Sequence, residues 1–590
     1  MIMKMIYRYI CVLCAAVAGF SAAAQNLDPT VVVDREYEGK LMEVHKPALQ
    51  MAVPDSVTRF DLDFDYSVFE SPYKGSYEFN PYLLSMKPSA ATEAPGKLYL
   101  RAGAGYHLHP ELDLVWSPQL LKHDSGLSMD VYARHRSFVG KYWALLPDDD
   151  WHIGRSEFVT PGYDLNSRAG VNVRYDWNMG DASVDLSYYG LHQGFNESQY
   201  RTRRGYNALD LSFSVGSKPN VTHFVYSVDG KYRYAHDGAV NASGRSALHE
   251  NDFNLDASLG YLLFGRDKAL ISLGTDVAGY FGYVLDAASS FYLTPHYVLN
   301  RGRLKADIGV RIMGTTVNAD EPTDFEKNAK EQIVYPDVNV RYSILPDQLV
   351  AYFKAGGGSY LNSLSSMLER NRFASVEGIN GLVPTYHMGV CIERLSLVAG
   401  VEGRLGKRFS WNLNGGYANY ASGVLDALMY FQYSGTDIET NETYEIRTLS
   451  CGIEYAPYQK AFVSLDARWN NDRFAADGTV TYTGTWGEAF KDSAYCIKPA
   501  ALTGDVSFEY NYRRRIFVGV DCAFSTAMKG VLNPIVVPGY ADLGVSAEYV
   551  TSRKLSFWLK GGNLLGMTIA RELIIAQKGP YFTAGICLNL

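Results

Sequence analysis

What most constrains this chain is a period-two alternation of apolar and polar residues, repeated in segment after segment from Lys97 onward. Leu209, Leu211, Phe213 and Val215 alternate with Asp210, Ser212 and Ser214. Phe253, Leu255, Ala257, Leu259 and Tyr261 alternate with Asn254, Asp256, Ser258 and Gly260. The same holds for Val463 to Asn470 and for Asp542 to Tyr549. Period two places the two sets on opposite faces of a strand. A soluble antiparallel sandwich also alternates, so length must separate the two readings. The segments run about ten residues or more, whereas a soluble strand averages about 5–6. About 9–11 residues make a tilted crossing of a bilayer.

The connections alternate as well. Short turns fall at Asn178 to Asp181, Ser217 to Asn220, Gly265 to Lys268, Asn300 to Arg303, Leu345 to Asp347, Gly406 to Arg408, Tyr512 to Arg515 and Thr551 to Lys554. Long connections are expected over 136–166, 193–203, 235–249, 315–332, 360–390, 421–443, 471–499, 527–537 and 563–578. Short turns at one end and long loops at the other are the pattern of outer-membrane barrels. Counting back from the C-terminus gives about 22 strands, an even number in the barrel range. The first two segments, about 98–107 and 111–118, carry the weakest pattern.

The N-terminus fits export. Lys4 and Arg8 give a positive start, Ile10 to Phe20 an apolar run, and Ala22-Ala23-Ala24 a small-residue cleavage site, so residues 1–24 are read as a signal peptide. Leu13 before Cys14 is too bulky for a lipoprotein site. Beyond the signal no apolar run reaches the roughly 18 residues of a membrane helix. Closure of the strands into a barrel is then the way this chain crosses a membrane, because it leaves no backbone group unpaired in lipid. Composition agrees: 44 Tyr and 54 Gly against only 20% charged residues suit strands that meet headgroups and turn sharply. The net charge of -8 excludes a nucleic-acid footprint. Residues 25–96, rich in Pro and Tyr, form an N-terminal segment placed in the periplasm or in the lumen, and residues 97–590 form the barrel.

Near the C-terminus, Tyr540 to Tyr549, the Ser552-Arg553-Lys554 turn, Gly562-Asn563-Leu564-Leu565-Gly566, and Gly579-Pro580-Tyr581 to Leu590 follow one another. Over about fifty residues this resembles the barrel end of TonB-dependent receptors, whose strand number of about 22 also agrees. The family's Asn-Leu-Phe-like step is matched by Asn563-Leu564-Leu565, whereas its Pro-Gly-Arg-like step is reversed here to Gly579-Pro580. The last strand sets Phe582, Ala584, Ile586, Leu588 and Leu590 outward, as an assembly signal of such barrels does. The resemblance implies an outer-membrane barrel. Members of that family carry a plug and a TonB-contacting box, and residues 25–96 show neither; Val31-Val32-Val33 is a faint echo of the box. Energised uptake is therefore not carried over. A lumen this wide needs a filler: residues 25–96, the loops 360–390 and 471–499, or a partner.

Candidate chemistry is sparse. Asp148-Asp149-Asp150 could bind calcium, but reads better as a solvated loop tip. His107, His109, His123 and His135 match no ligand spacing; Ser125 near His123 is a candidate for a barrel hydrolase, but nearness in sequence is weak support for a nucleophile and base that must converge in space. Gly356-Gly357-Gly358 is followed by no helix pattern, so it reads as a flexible strand end rather than a phosphate loop. Tyr188, Tyr261, Trp411, Tyr417, Trp469 and Trp558 are read as interfacial girdle residues, and Trp151 and Trp486 as the best candidates for stacking on sugars. Asp55-Ser56-Val57 and Asp492-Ser493-Ala494 resemble an O-glycosylation sequence, a pattern short enough to arise by chance. The odd-numbered, scattered Cys391, Cys451, Cys496, Cys522 and Cys587 read as small apolar strand residues. No catalytic, cofactor-binding or metal-binding residue is assigned. The expected protein is an all-β transmembrane antiparallel barrel of the outer membrane, non-enzymatic, acting as a pore or transport component. The alternative is a structural subunit of a larger envelope or secretion assembly. Its expected neighbours are outer-membrane lipid and lipopolysaccharide, and other outer-membrane proteins or lipoproteins.

Overall fold

In the computed structural model the described residues are 97–590 apart from 107–109, 119–125, 196–202, 219–222, 242–243, 283–286, 319–332, 373–388, 437–442, 571–572 and 578. The expected signal peptide, residues 1–24, and the segment 25–96 lie outside them. The strands are β1 (Leu98–Gly105), β2 (Glu111–Trp116), β3 (Leu127–Pro147), β4 (Ile153–Trp177), β5 (Gly180–Phe195), β6 (Arg203–Ser217), β7 (Phe224–Asn241) and β8 (Gly244–Leu263). They continue with β9 (Asp267–Gly282), β10 (Ala287–Arg301), β11 (Leu304–Asn318), β12 (Val334–Leu345), β13 (Leu349–Asn362), β14 (Gly389–Leu405), β15 (Phe409–Thr436) and β16 (Thr443–Asn470). The last are β17 (Phe474–Trp486), β18 (Leu502–Tyr512), β19 (Ile516–Ser525), β20 (Met528–Lys529), β21 (Val536–Val537), β22 (Tyr540–Ser552), β23 (Leu555–Gly562), β24 (Ile575–Gln577) and β25 (Tyr581–Asn589).

All but β20, β21 and β24 pair antiparallel with their neighbours in chain order and close into a 22-stranded barrel. The closing seam pairs β1 with β25, from Tyr99 opposite Asn589 to Gly105 opposite Thr583. Closure removes the free edge that lipid would not tolerate. The expected strand number and antiparallel class agree with this.

The alternation sorts each strand's side chains between lipid and bore. The lipid face is carried by such residues as Leu211, Phe213, Leu273, Ile308 and Val463, all solvent-exposed in the isolated barrel. Residues of the opposite parity, Asp210, Asp252 and Asp466 among them, point into the bore. Short turns at one end are tight. Arg513 and Arg514 both take positive φ, of 54° and 55°, as the centre of a type I′ turn requires; the Arg515 N–H closes it on the Tyr512 carbonyl at 3.1 Å, and the Asn511 side chain accepts the Arg514 N–H at 2.7 Å. The opposite end bears the long connections and is the outer end.

The wall is uneven. β2 has 6 residues and β1 has 8, whereas β4 has 25 and β15 and β16 have 28 each. Much of the stretches expected as loops at 136–166, 235–249 and 421–443 is therefore strand. Beyond the lipid band a hairpin can keep its backbone ladder without showing an apolar outer face, so the alternation fades while the strand continues. Where β2 stops, β24 takes its place and pairs with Tyr142 to Ala144 of β3.

Trp558 is not a girdle residue. On β23 its neighbours Phe557 and Leu559 face lipid, and Trp558 faces inward at 4% exposure. It fills the space left by Gly103 and Gly585, where added Cβ atoms would strike its ring. Its indole N–H donates to the Ile586 carbonyl at 3.3 Å, and Arg101 lies over the ring at 4.3 Å. Trp558→Ala should cost about 3–5 kcal/mol, read as a lower temperature for the heat-modifiable shift of the barrel on gels. An unchanged transition temperature would show that this ring does not lock the seam.

Candidate functional site

The outer end of the bore is not empty. After β13, Ser363 caps the short helix α1 (Leu364–Arg370), its hydroxyl accepting the Ser366 N–H at 3.4 Å. Leu364, Met367 and Leu368 are buried, the i, i+3, i+4 spacing of one helical face. A second short helix, α2 (Ala489–Asp492), follows β17, and β20 and β21 form a small ladder of their own. The β15–β16 ladder slips between Tyr420 and Gly423, and a Cβ on Gly423 would strike the Tyr458 ring. A slip of this kind bends a hairpin.

One hydrophobic core joins these pieces to the wall. It gathers Leu191 of β5, Tyr206 of β6, Ala235 of β7, Leu248 of β8 and Tyr280 of β9. From a distant arc come Leu428 of β15 with Leu449 and Ile453 of β16. Between the arcs lie Leu364, Met367 and Leu368 of α1, with Ile497, Ile535 and Leu573 from three other connections. Each fully buried Leu or Met contributes about 1.5–3 kcal/mol, so α1 alone is held by several kcal/mol of apolar burial.

Polar ties brace the same arrangement. Tyr206 donates to Glu250 at 3.1 Å, and Glu250 also accepts the Ser365 N–H at 3.4 Å. Arg372 pairs with Asp164 of β4 at 2.7 Å, and Arg370 with Asp426 of β15 at 2.8 Å. α1 and its flank thus bridge two separated stretches of wall. The buried Asn533 amide donates to the Leu428 and Tyr495 carbonyls at 2.9 and 2.8 Å and accepts the Ile535 N–H at 3.1 Å. Such a satisfied amide fixes the loops it joins. In the connection after α2, burial pushes the Cys496 thiol up to about 12, with its bond to Glu454 adding to the rise. The thiol is protonated at neutral pH and is no nucleophile.

Below this cap the wall is polar and charged. Arg233 makes two bonds to Asp210, at 2.6 and 2.8 Å, and Arg311 meets Asp337 at 2.9 Å. Near the short turns a cavity of about 1050 Å³ is lined by Arg303, Lys305, Arg341, Arg404 and Arg468, facing Glu402, Asp466 and Asp477.

The sequence candidates fall apart as chemical sites. Asp148 spends its carboxylate on the N–H groups of Asp150 and His152, at 3.0 and 2.8 Å, holding a turn. His135 contacts the Ser167 hydroxyl at 2.8 Å, while His107, His109, His123, Ser125 and the motif at Asp55 lie outside the described residues. Gly356 to Gly358 stand inside β13 rather than at its end, at a register slip; Gly357 has no room for a Cβ beside the Glu393 carbonyl. Trp151 packs edge-on against Tyr430 at 6.0 Å, and Trp486 pairs with Tyr417 at 6.3 Å and donates to Gln459. Ser493 donates to Glu454 at 2.7 Å and accepts two backbone N–H groups, so its hydroxyl is committed to the fold. The five cysteines among the described residues are free thiols; four are strand residues, and Cys496 sits in the cap. What sequence reasoning missed was α1: its Leu-x-x-Met-Leu spacing was present, hidden in a stretch expected as loop.

No family model matches the chain, and no curated protein matches it. Solved structures do. The siderophore receptor PirA from Acinetobacter baumannii is 11% identical over 84% of this chain and 80% of its own, with a TM-score of 0.54. The FrpB iron transporter from Neisseria meningitidis is 9% identical over 84% and 81%, with a TM-score of 0.59. The copper transporter OprC is 10% identical over 84% and 80%, with a TM-score of 0.54. At such identities the likeness is one of fold: this chain has the 22-stranded barrel of TonB-dependent siderophore and metal receptors.

Proposed function

We propose that the protein is a non-enzymatic transport barrel of the outer membrane whose outer mouth is shut by its own loops. The observation that carries this reading is the hydrophobic core in which α1 and three other connections meet both arcs of the wall. A bore lined with Arg, Lys, Asp and Glu below an apolar cap is organised to pass polar solutes when the cap withdraws. Barrels of the same fold include siderophore receptors and iron and copper transporters, which supports transport over a purely structural role.

The cap's removal is the test. Leu364→Asp with Leu368→Asp places two uncompensated charges in the core, which cannot be buried without partners. In planar bilayers the full-length double variant should show large, steady conductance where the parent protein shows little. Folding of each is checked by heat-modifiable migration on gels. A folded double variant that conducts no more than the parent would overturn the loop-gated reading.

A further inference from the structure

We propose that the outward face of β5 to β8, just above the lipid-facing band, binds the sugar headgroup of an outer-leaflet glycolipid. This requires only that the barrel sit in a membrane, and it stands whether or not the bore transports anything.

The strand register lays this face out in rows. Leu186, Leu211, Tyr232 and Phe253 stand side by side as the last largely apolar row, all exposed. The next row outward sets Tyr188, Leu209, Tyr234 and Asn251 together, a level at which aromatic residues meet headgroups. Above it the chemistry changes. Asn207, His236 and His249 are register partners in one row, beside Gly190, and His192 follows in the row beyond, beside Gly205 and Gly238. Three of the chain's 12 His therefore fall on one panel of four strands. An aromatic girdle accounts for the Tyr row but gives no reason for amide and imidazole groups stacked on top of it.

The panel is held in shape. Tyr188 donates to the Asn207 side chain at 2.6 Å, and that amide donates in turn to the Gly205 carbonyl at 3.2 Å. The Tyr234 hydroxyl meets His249 Nδ1 at 3.1 Å, and the His236 and His249 rings lie 4.7 Å apart. Behind the panel, the inward residues Leu191, Tyr206, Ala235 and Leu248 belong to the cap core, so the wall cannot flex freely here. Such preorganisation lowers the cost of binding. Gly205 and Gly238 leave a shallow floor beside His192 and His236.

The chemistry fits a sugar. Tyr rings offer an apolar face with a polar tip, and amides and imidazoles both donate and accept, as a pyranose ring with its hydroxyls needs. None of the three upper rows carries Lys or Arg, which a phosphate site would use.

The test uses the full-length protein in detergent and native mass spectrometry. The probes are a rough-type lipopolysaccharide, the same glycolipid after dephosphorylation, and phosphatidylethanolamine. Both glycolipids should be retained over phosphatidylethanolamine, and Asn207→Ala with His236→Ala should lower their retention roughly tenfold, a change of about 1.4 kcal/mol. Gly238→Leu, which fills the floor from outside and leaves the panel's polar groups in place, should lower it as well and covers the case in which the double variant fails to fold. Equal retention of phosphatidylethanolamine, loss of binding on dephosphorylation, or folded variants that retain glycolipid like the parent would overturn the proposal.

Discussion

Lipid offers no water to a backbone N–H or C=O, so a chain that crosses it with strands must satisfy every such group within its own sheet. The seam between β1 and β25 is where this chain meets that demand. Seven register pairs join its ends, and the space at the seam is filled by Trp558 lying against Gly103 and Gly585. The rest follows from closure. A sheet closed at this strand number encloses a wide bore, and a wide bore needs either traffic or a filler.

The cap answers that need with ordinary globular physics. Its Leu, Met, Ile and Tyr side chains pack as in a soluble core, although they come from wall strands and loops distant in sequence. Ion pairs at Arg370 and Arg372 tie the C-terminal end of the crossing segment to both stretches of wall, at Asp426 of β15 and Asp164 of β4. Their carboxylate partners are partly or largely shielded, so breaking either pair leaves a charge poorly solvated. The tall β15–β16 hairpin and the low β1–β2 wall belong to the same design. Long strands supply the cap with apolar residues, and where the wall is low, β24 and its connection restore the missing height. The panel on β5 to β8 is the other face of this packing, its inward residues in the core and its outward ones toward the bilayer.

The lipid-facing part of the fold was legible in the sequence because lipid imposes a strict period of two. Leu209 to Val215 and Phe253 to Tyr261 reveal strand, face and span together. Above the lipid the signal weakens, because the outer face of β4 or β15 can be polar or apolar while the ladder persists; that is why 136–166 and 421–443 were expected as loops. Trp558 misled because aromatic residues are common at both interfaces, and only its parity with Phe557 and Leu559 shows that it faces inward. The cap was illegible for a different reason. Its core joins residues such as Leu191, Leu364 and Leu449 that no local pattern connects, and α1 is too short to announce itself by periodicity. The panel's His192, Asn207 and His236 likewise come together only through strand register.

An outer mouth sealed by a packed core, as proposed, differs from one covered by loose loops in how fast its amides exchange. Hydrogen exchange of the full-length protein in a membrane mimetic tests the seal most directly, followed by mass spectrometry on peptides covering 363–372 and 420–456. A packed cap predicts that amides in these peptides, Ser365 and Asn371 among them, are protected to a degree approaching that of β7 and β8 in the wall. Exchange as fast as in an unstructured peptide, beside a fully protected wall, would contradict the account.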